Sequence, residues 1–313
     1  MTDTTATTSL TIPPNPLAPL APTSPPAPSG SATARRTVGP GGVGLVLAGS
    51  LSVHFGSAVA ALLFPRAGAL GVVTLRVTIA AVLLWAVCRP RLRGHSRTDW
   101  AVAGAFGVAL GGMNVLFYQA IDRIPLGPAV TLEVLGPLLL SVATARRASS
   151  LLWAGLAFAG VLLLGRDGFA RLDPVGAGFA LGAGAMCAAY IVCSARAGAR
   201  FRRLDGLAVA MAVAALVSLP LGIGSAGAVL LEPGVLGLGL AVALLSSALP
   251  YALELLALRR LSTPTFAVLT SLSPAIAALA GFLVLGQALS AGQCLAVALV
   301  VAAGAGAVSD RSG

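Results

Sequence analysis

After residue 40 the chain is an almost unbroken succession of apolar runs, each close to twenty residues long and set apart by a few charged, proline or glycine residues. A helix needs roughly 20 apolar residues to cross a bilayer core of about 30 Å, so each run has the length of one span. The punctuation divides the runs into Gly41–Phe64, Leu70–Cys88, Trp100–Tyr118, Pro125–Ala145, Leu151–Gly165, Val175–Ala195, Gly206–Ile223, Val235–Leu258, Pro264–Leu285 and Leu289–Val308. The expected fold is an all-α membrane protein of ten transmembrane helices. With 57% apolar and only 10% charged residues, the chain has too little polar surface for a large aqueous domain.

The net charge of +10 does not point to nucleic acid. That reading needs basic residues gathered on one face, and here they stand singly or in small clusters between apolar runs. Their distribution reports topology instead. Placing the N-terminus inside puts fifteen arginines, Arg35 and Arg36 through Arg259, Arg260 and Arg311, on one side, and leaves Arg66, Arg123, Arg166 and Arg171 on the other. Such a bias obeys the positive-inside rule and predicts that both termini are cytoplasmic. Residues 1 to 38, rich in Pro, Thr, Ala and Ser, cannot bury a core and read as a disordered cytoplasmic tail. The tail lacks a basic stretch followed by an apolar one and so does not read as a signal peptide. Cys88, Cys187, Cys193 and Cys294 lie in or at the ends of apolar runs without metal-ligand or disulfide spacing, and read as small packing residues.

A shift of 137 residues pairs Arg123 with Arg260 and Pro137 with Pro274, along with Leu, Ala and Gly identities that are cheap in this composition. A repeat unit of five helices forces the second copy into the membrane upside down. The expected organisation is therefore two inverted five-helix repeats, over residues 39 to 169 and 170 to 313. Inverted repeats let one half rock against the other about a central site.

An ionisable group at mid-membrane costs a few kcal/mol or more, so such residues are functional candidates. Four qualify: His54, Arg76, Glu133 and Glu254. Pro137 and Ser141 share a helical face with Glu133, and the proline frees a backbone carbonyl to face a cavity. Glu254 forms a polar stripe with Ser247 and Tyr251 just after Pro250, His54 forms one with Ser50 and Ser57, and Asn114 and Tyr118 lie one turn apart. These patches form one pocket if their helices pack around it. The plain alternatives stand beside this: a glutamate can pair with Arg76 to hold helices together, Arg76 can snorkel to the interface, and the histidine and serines can be interhelical glue.

Gly107, Gly111, Gly112, Gly178 and Gly182 have the small-xxx-small spacing of close helix packing. Gly222, Gly224 and Gly227 match a GxGxxG string, but no strand-turn-helix unit accompanies them, so a nucleotide site is discarded. The chain carries no HExxH, GxSxG, P-loop or zinc pattern and no intramembrane aspartate pair, which argues against an enzyme and calls for no metal or cofactor.

Several stretches resemble the ten-helix drug/metabolite transporter superfamily of the EamA type, in particular its bacterial threonine and homoserine exporter branch. These are Leu75-Arg76, Gly111-Gly112-Met113-Asn114 with Leu116-Phe117-Tyr118, Pro125-Leu126-Gly127 leading to Leu132-Glu133 and Gly136-Pro137, Leu181 to Ala185, Ala248-Leu249-Pro250-Tyr251 with Leu253-Glu254, and Pro264-Thr265-Phe266. The resemblance covers nearly everything after the tail, from which it departs. It implies two EamA repeats, an inner-membrane location and export of small metabolites. The resulting expectation is proton-driven efflux of a small zwitterionic amino acid, one glutamate meeting the ammonium group and Arg76 the carboxylate. The glutamate farther from arginine is the better proton carrier, because an adjacent cation holds a carboxylate ionised; Glu254 is the choice. The rivals are a broad drug exporter, which wants more aromatic residues than this chain has, and a non-transporting membrane scaffold.

Overall fold

The computed structural model describes residues 40–90, 92–145, 152–153, 155–160, 163, 173–201, 204–250, 253 and 269–312. The N-terminal tail, part of the fifth expected span, the end of the eighth with Tyr251 and Glu254, and the start of the ninth lie outside the described residues. Among those described, every regular element is helical: α1 (Pro40–Ala61), α2 (Phe64–Cys88), α3 (Arg97–Ile121), α4 (Leu126–Ala145), α5 (Pro174–Arg200), α6 (Asp205–Ala226), α7 (Pro233–Ala243), α8 (Ser273–Leu285) and α9 (Ala291–Ser312). Helical residues at 155–160 stand between α4 and α5. The chain is thus a multi-span helical membrane protein of about ten helices. Among the described residues five segments are long and apolar enough to cross a bilayer, the longest 27 residues, while stretches such as Leu126–Leu140 and Ser273–Leu285 are shorter.

The packing is that of a membrane bundle. Large side chains such as Val82, Leu216, Phe282 and Leu283 face outward, while Ala58, Ala60, Ala180, Ala183, Ala208, Ala210 and Ala214 are fully buried. Lipid solvates the large side chains as well as protein does, so the interior goes to small residues that let helix backbones approach. α3 packs on α5 and α6, α2 on α6 and α7, and α4 on α5 and α8. Gly107 and Gly111 lie against α6, where a Cβ on Gly107 would stand 2.6 Å from the Ala210 carbonyl oxygen. Gly178 meets nothing and is no contact point.

Polar ties cross the same interfaces. Thr74 Oγ1 donates to the Ser218 carbonyl (2.8 Å), and Trp85 Nε1 to that of Ala208 (2.8 Å), joining α2 to α6. The Leu126 amide at the start of α4, which no intrahelical carbonyl can satisfy, donates to Gln287 Oε1 (3.0 Å) in the connection between α8 and α9. Ion pairs Arg200–Asp99 (2.9 Å) and Arg123–Asp173 (3.4 Å) join α3 to α5 at opposite ends, so the two helices run antiparallel.

Two expected boundaries change. Pro65 and Gly68 read as a loop before a span at Leu70, yet α2 begins at Phe64. Proline at the first helical positions suits a helix start, because its missing N–H is one that would go unpaired there, and Gly68 takes the local kink with φ 64°. Arg66 therefore sits in the first turn of a helix instead of a loop. The eighth span is also interrupted: α7 gives way to a π-helical turn over Leu244–Ala248.

Candidate functional site

A π turn leaves backbone carbonyls without their usual donors, and Pro250 makes the deficit larger. Within the turn the Leu249 amide reaches back five residues to the Leu244 carbonyl. In the same register the Leu245 carbonyl would need an N–H from residue 250, which proline lacks. Ser52 Oγ of α1 fills that place, donating to the Leu245 carbonyl at 2.6 Å. The neighbouring Ser246 carbonyl accepts from Arg76 Nη2 of α2 at 3.1 Å. Gly56 lets α1 come this close, since a Cβ there would collide with Ser246 Oγ.

Arg76 lies eight residues past the Gly68 break in α2, about 12 Å along the axis at 1.5 Å per residue. The contacts of its head group, rather than its depth, speak against the snorkelling alternative. The guanidinium points inward: Nη1 donates to the Tyr118 hydroxyl (3.1 Å), and the carbon Cζ stands 5.4 Å from the centre of the Tyr118 ring. Tyr118 is fully buried on α3 and packs on Phe64 and Phe117. A planar cation held by a hydroxyl, a ring face and a carbonyl has a fixed direction.

Beside it is a cavity of about 100 Å³ lined by Val53, His54, Ser57, Arg76, Met113, Asn114, Phe117 and Glu133. α1, α2, α3 and α4 each supply polar groups to it. Among the described residues the ion pairs are those at the ends of α3 and α5, so Arg76 and Glu133 make no direct ion pair, although the arginine's charge acts on the carboxylate across the cavity. Asn114 Nδ2 donates to the Leu110 carbonyl (2.8 Å) and Ser57 Oγ to that of Val53 (3.0 Å), one turn back on their own helices.

Glu133 is placed by the proline four residues on. Pro137 has no N–H for the Glu133 carbonyl, and α5 comes in beside it: a Cβ on Gly184 would stand 2.6 Å from that oxygen. Gly136 and Gly184 also meet backbone to backbone, because a methyl group on Gly136 would collide with the Gly184 carbonyl.

His54, Arg76, Asn114 and Glu133 thus share one cavity, with Tyr118 behind Arg76. Ser50 is not in its lining. Of the eighth-span patch, Ser247 is buried, while Tyr251 and Glu254 fall outside the described residues. Sequence reasoning missed Ser52 and Ser246, which look like small packing residues. The readable signal was Pro250 following a pair of serines in an apolar run.

An inward-facing arginine and glutamate are walled by helices of a multi-span bundle, and ionisable groups so placed are candidates for a solute path. Residues 174–308 match the EamA-like transporter family. The threonine/homoserine exporter RhtA of Salmonella typhimurium is 42% identical over 258 residues, covering 82% of this chain and 87% of its own length. That of Escherichia coli is 41% identical over 265 residues, covering 84% and 89%. A solved crystal structure shares the fold at a TM-score of 0.55, with 21% identity over 86% of this chain and 99% of its own. The chain belongs to the EamA-like transporter family.

Proposed function

We propose that this protein exports small amino acids, threonine and homoserine foremost, across the bacterial inner membrane, driven by protons. The observation that carries the reading is a cation and a carboxyl group that line one small cavity without a direct ion pair between them. A zwitterion supplies the two charges this pair lacks: its carboxylate meets the Arg76 fork and its ammonium group meets Glu133. Asn114 and Tyr118 orient the two ends. Size separates this reading from a broad drug exporter. Drug-sized ligands occupy roughly 300 to 1,000 Å³, and the cavity holds about 100 Å³. The similarity to exporters named for threonine and homoserine points to the same solutes.

Glu133 beside Arg76 serves as a binding charge, and Glu254, on the eighth span, is the proton carrier, with Tyr251 close to it in sequence. Both termini are cytoplasmic, and the two halves are inverted repeats over residues 39 to 169 and 170 to 313. The packing supports a repeat. Exchanging α1, α2, α3 and α4 with α5, α6, α7 and α8 turns the α3–α5 contact into α7–α1, α4–α5 into α8–α1, and α3–α6 into α7–α2, and each of these contacts is present.

The test is efflux of labelled threonine and homoserine from cells overexpressing the chain, compared with a Glu133→Gln, Glu254→Gln double variant. Faster efflux that the double variant loses is the expected result. Efflux no faster than from empty cells would overturn the choice of substrate.

A further inference from the structure

The cavity holds one polar group that the binding of a zwitterion does not use. His54 is 7% exposed, lines the cavity, and its Nδ1 is buried without a hydrogen-bond partner. Four other side chains have a buried polar atom in that condition among the described residues, Thr78, His95, Trp153 and Ser246, and none of them lines the cavity. Of the other polar neighbours, Ser57 and Asn114 each donate to their own helices and Arg76 donates to Tyr118 and the Ser246 carbonyl, while Glu133 is the group assigned to the ammonium. A buried polar atom left without a partner is costly, and a ligand that supplies the partner removes that cost.

We infer that His54 reads the side-chain hydroxyl of the transported amino acid and so sets a preference for hydroxylated substrates over their deoxy analogue. This rests on the amino-acid reading above. A hydroxyl both donates and accepts, so it suits the imidazole in either tautomer. The hydroxyl sits on Cβ in threonine and on Cγ in homoserine, and the ring, swinging about two side-chain torsions, serves both. Removing that oxygen from either molecule gives the same compound, 2-aminobutyrate, which keeps both charges and leaves His54 unpaired. Sites built to hydrogen-bond a substrate hydroxyl reject the analogue that lacks it far more strongly than an apolar wall does.

The experiment measures transport of labelled threonine, homoserine and 2-aminobutyrate by the full chain in inside-out membrane vesicles. The variants are His54→Leu, of similar bulk, and His54→Gln, which keeps a hydrogen-bonding group. The wild type is expected to favour the hydroxylated substrates by roughly 5- to 150-fold, the span expected when one buried polar atom goes unpaired. His54→Leu should bring that ratio close to one while still moving 2-aminobutyrate, and His54→Gln should keep most of it. Should His54→Leu fail to fold, the ratio in the wild type and in His54→Gln still decides. A wild-type ratio near one, or a His54→Leu protein that keeps the wild-type ratio, overturns the assignment. A wild type that moves none of the three overturns the amino-acid reading beneath it, which separates the two failures.

Discussion

Replacing Tyr118 with phenylalanine isolates the positioning of Arg76. The substitution keeps a ring that is fully buried, tilted against Phe64 and lying 5.4 Å from the Arg76 guanidinium carbon, and deletes only the oxygen that accepts from Nη1 at 3.1 Å. Packing and most of the cation–π attraction therefore survive. What is lost is a hydrogen bond to a charged donor, worth about 1.5–3 kcal/mol. The adjoining cavity can lend a water to the orphaned donor, which pulls the loss to the low end of that range. At about 1.4 kcal/mol per factor of ten, the half-saturation concentration for threonine should rise about tenfold. The maximal rate and the yield of folded protein should stay close to wild type. The assay is initial-rate uptake into inside-out vesicles, with threonine amide as a second substrate. Loss of Arg76 direction should narrow the preference for the carboxylate over the amide, an effect that a purely structural role for the hydroxyl does not produce. An unchanged half-saturation concentration, or a fall in maximal rate that tracks the folded fraction, would refute the positioning role.

Gly136→Ala places a methyl group against the Gly184 carbonyl. The overpacking cost of about 1–3 kcal/mol or more exceeds the helix-propensity gain of about 0.5–1 kcal/mol, so the thermal midpoint should fall; Gly178→Ala, which meets open space, should leave it unchanged or raised. Gln287→Ala removes the acceptor for the Leu126 amide and should cost about 1 kcal/mol in denaturation of the detergent-solubilised protein. Pro250→Ala restores an N–H that competes with Ser52 and Arg76 for the Leu245 and Ser246 carbonyls. Stability should hold or rise while threonine uptake falls, and a parallel change in both would contradict the role given to the π turn. Glu254→Gln should flatten the pH dependence of uptake without loss of folded protein, and a retained pH profile would remove Glu254 from coupling.

The membrane class and most span positions were legible because lipid imposes one strong rule, a long apolar helix, that composition and run length display directly. Candidate site residues were legible for the same reason: Arg76, Glu133, Asn114 and His54 stand out against apolar neighbours, and the structure brings these four to one cavity. What the sequence hid was geometry that depends on punctuation having two meanings. Pro65 can end a helix or begin one, and reading it as a loop missed the helical turn it opens before the Gly68 break. Ser52 and Ser246 hid among small packing residues because their importance comes from Pro250 and the carbonyls it strands, a relation between helices far apart in the chain. Gly136 and Gly184 looked no different from Gly178, and only the close approach of α4 to α5 separates them.

The most direct measurement is transport by the purified full chain in liposomes. Labelled threonine and homoserine are followed under an imposed pH gradient, with Arg76→Ala and Glu133→Gln proteins reconstituted alongside. Gradient-driven movement of both amino acids, abolished in each variant while the variants remain folded, is the expected result. No solute movement by the wild type, or movement that persists without Arg76 and Glu133, would contradict an amino-acid exporter built around these two charges.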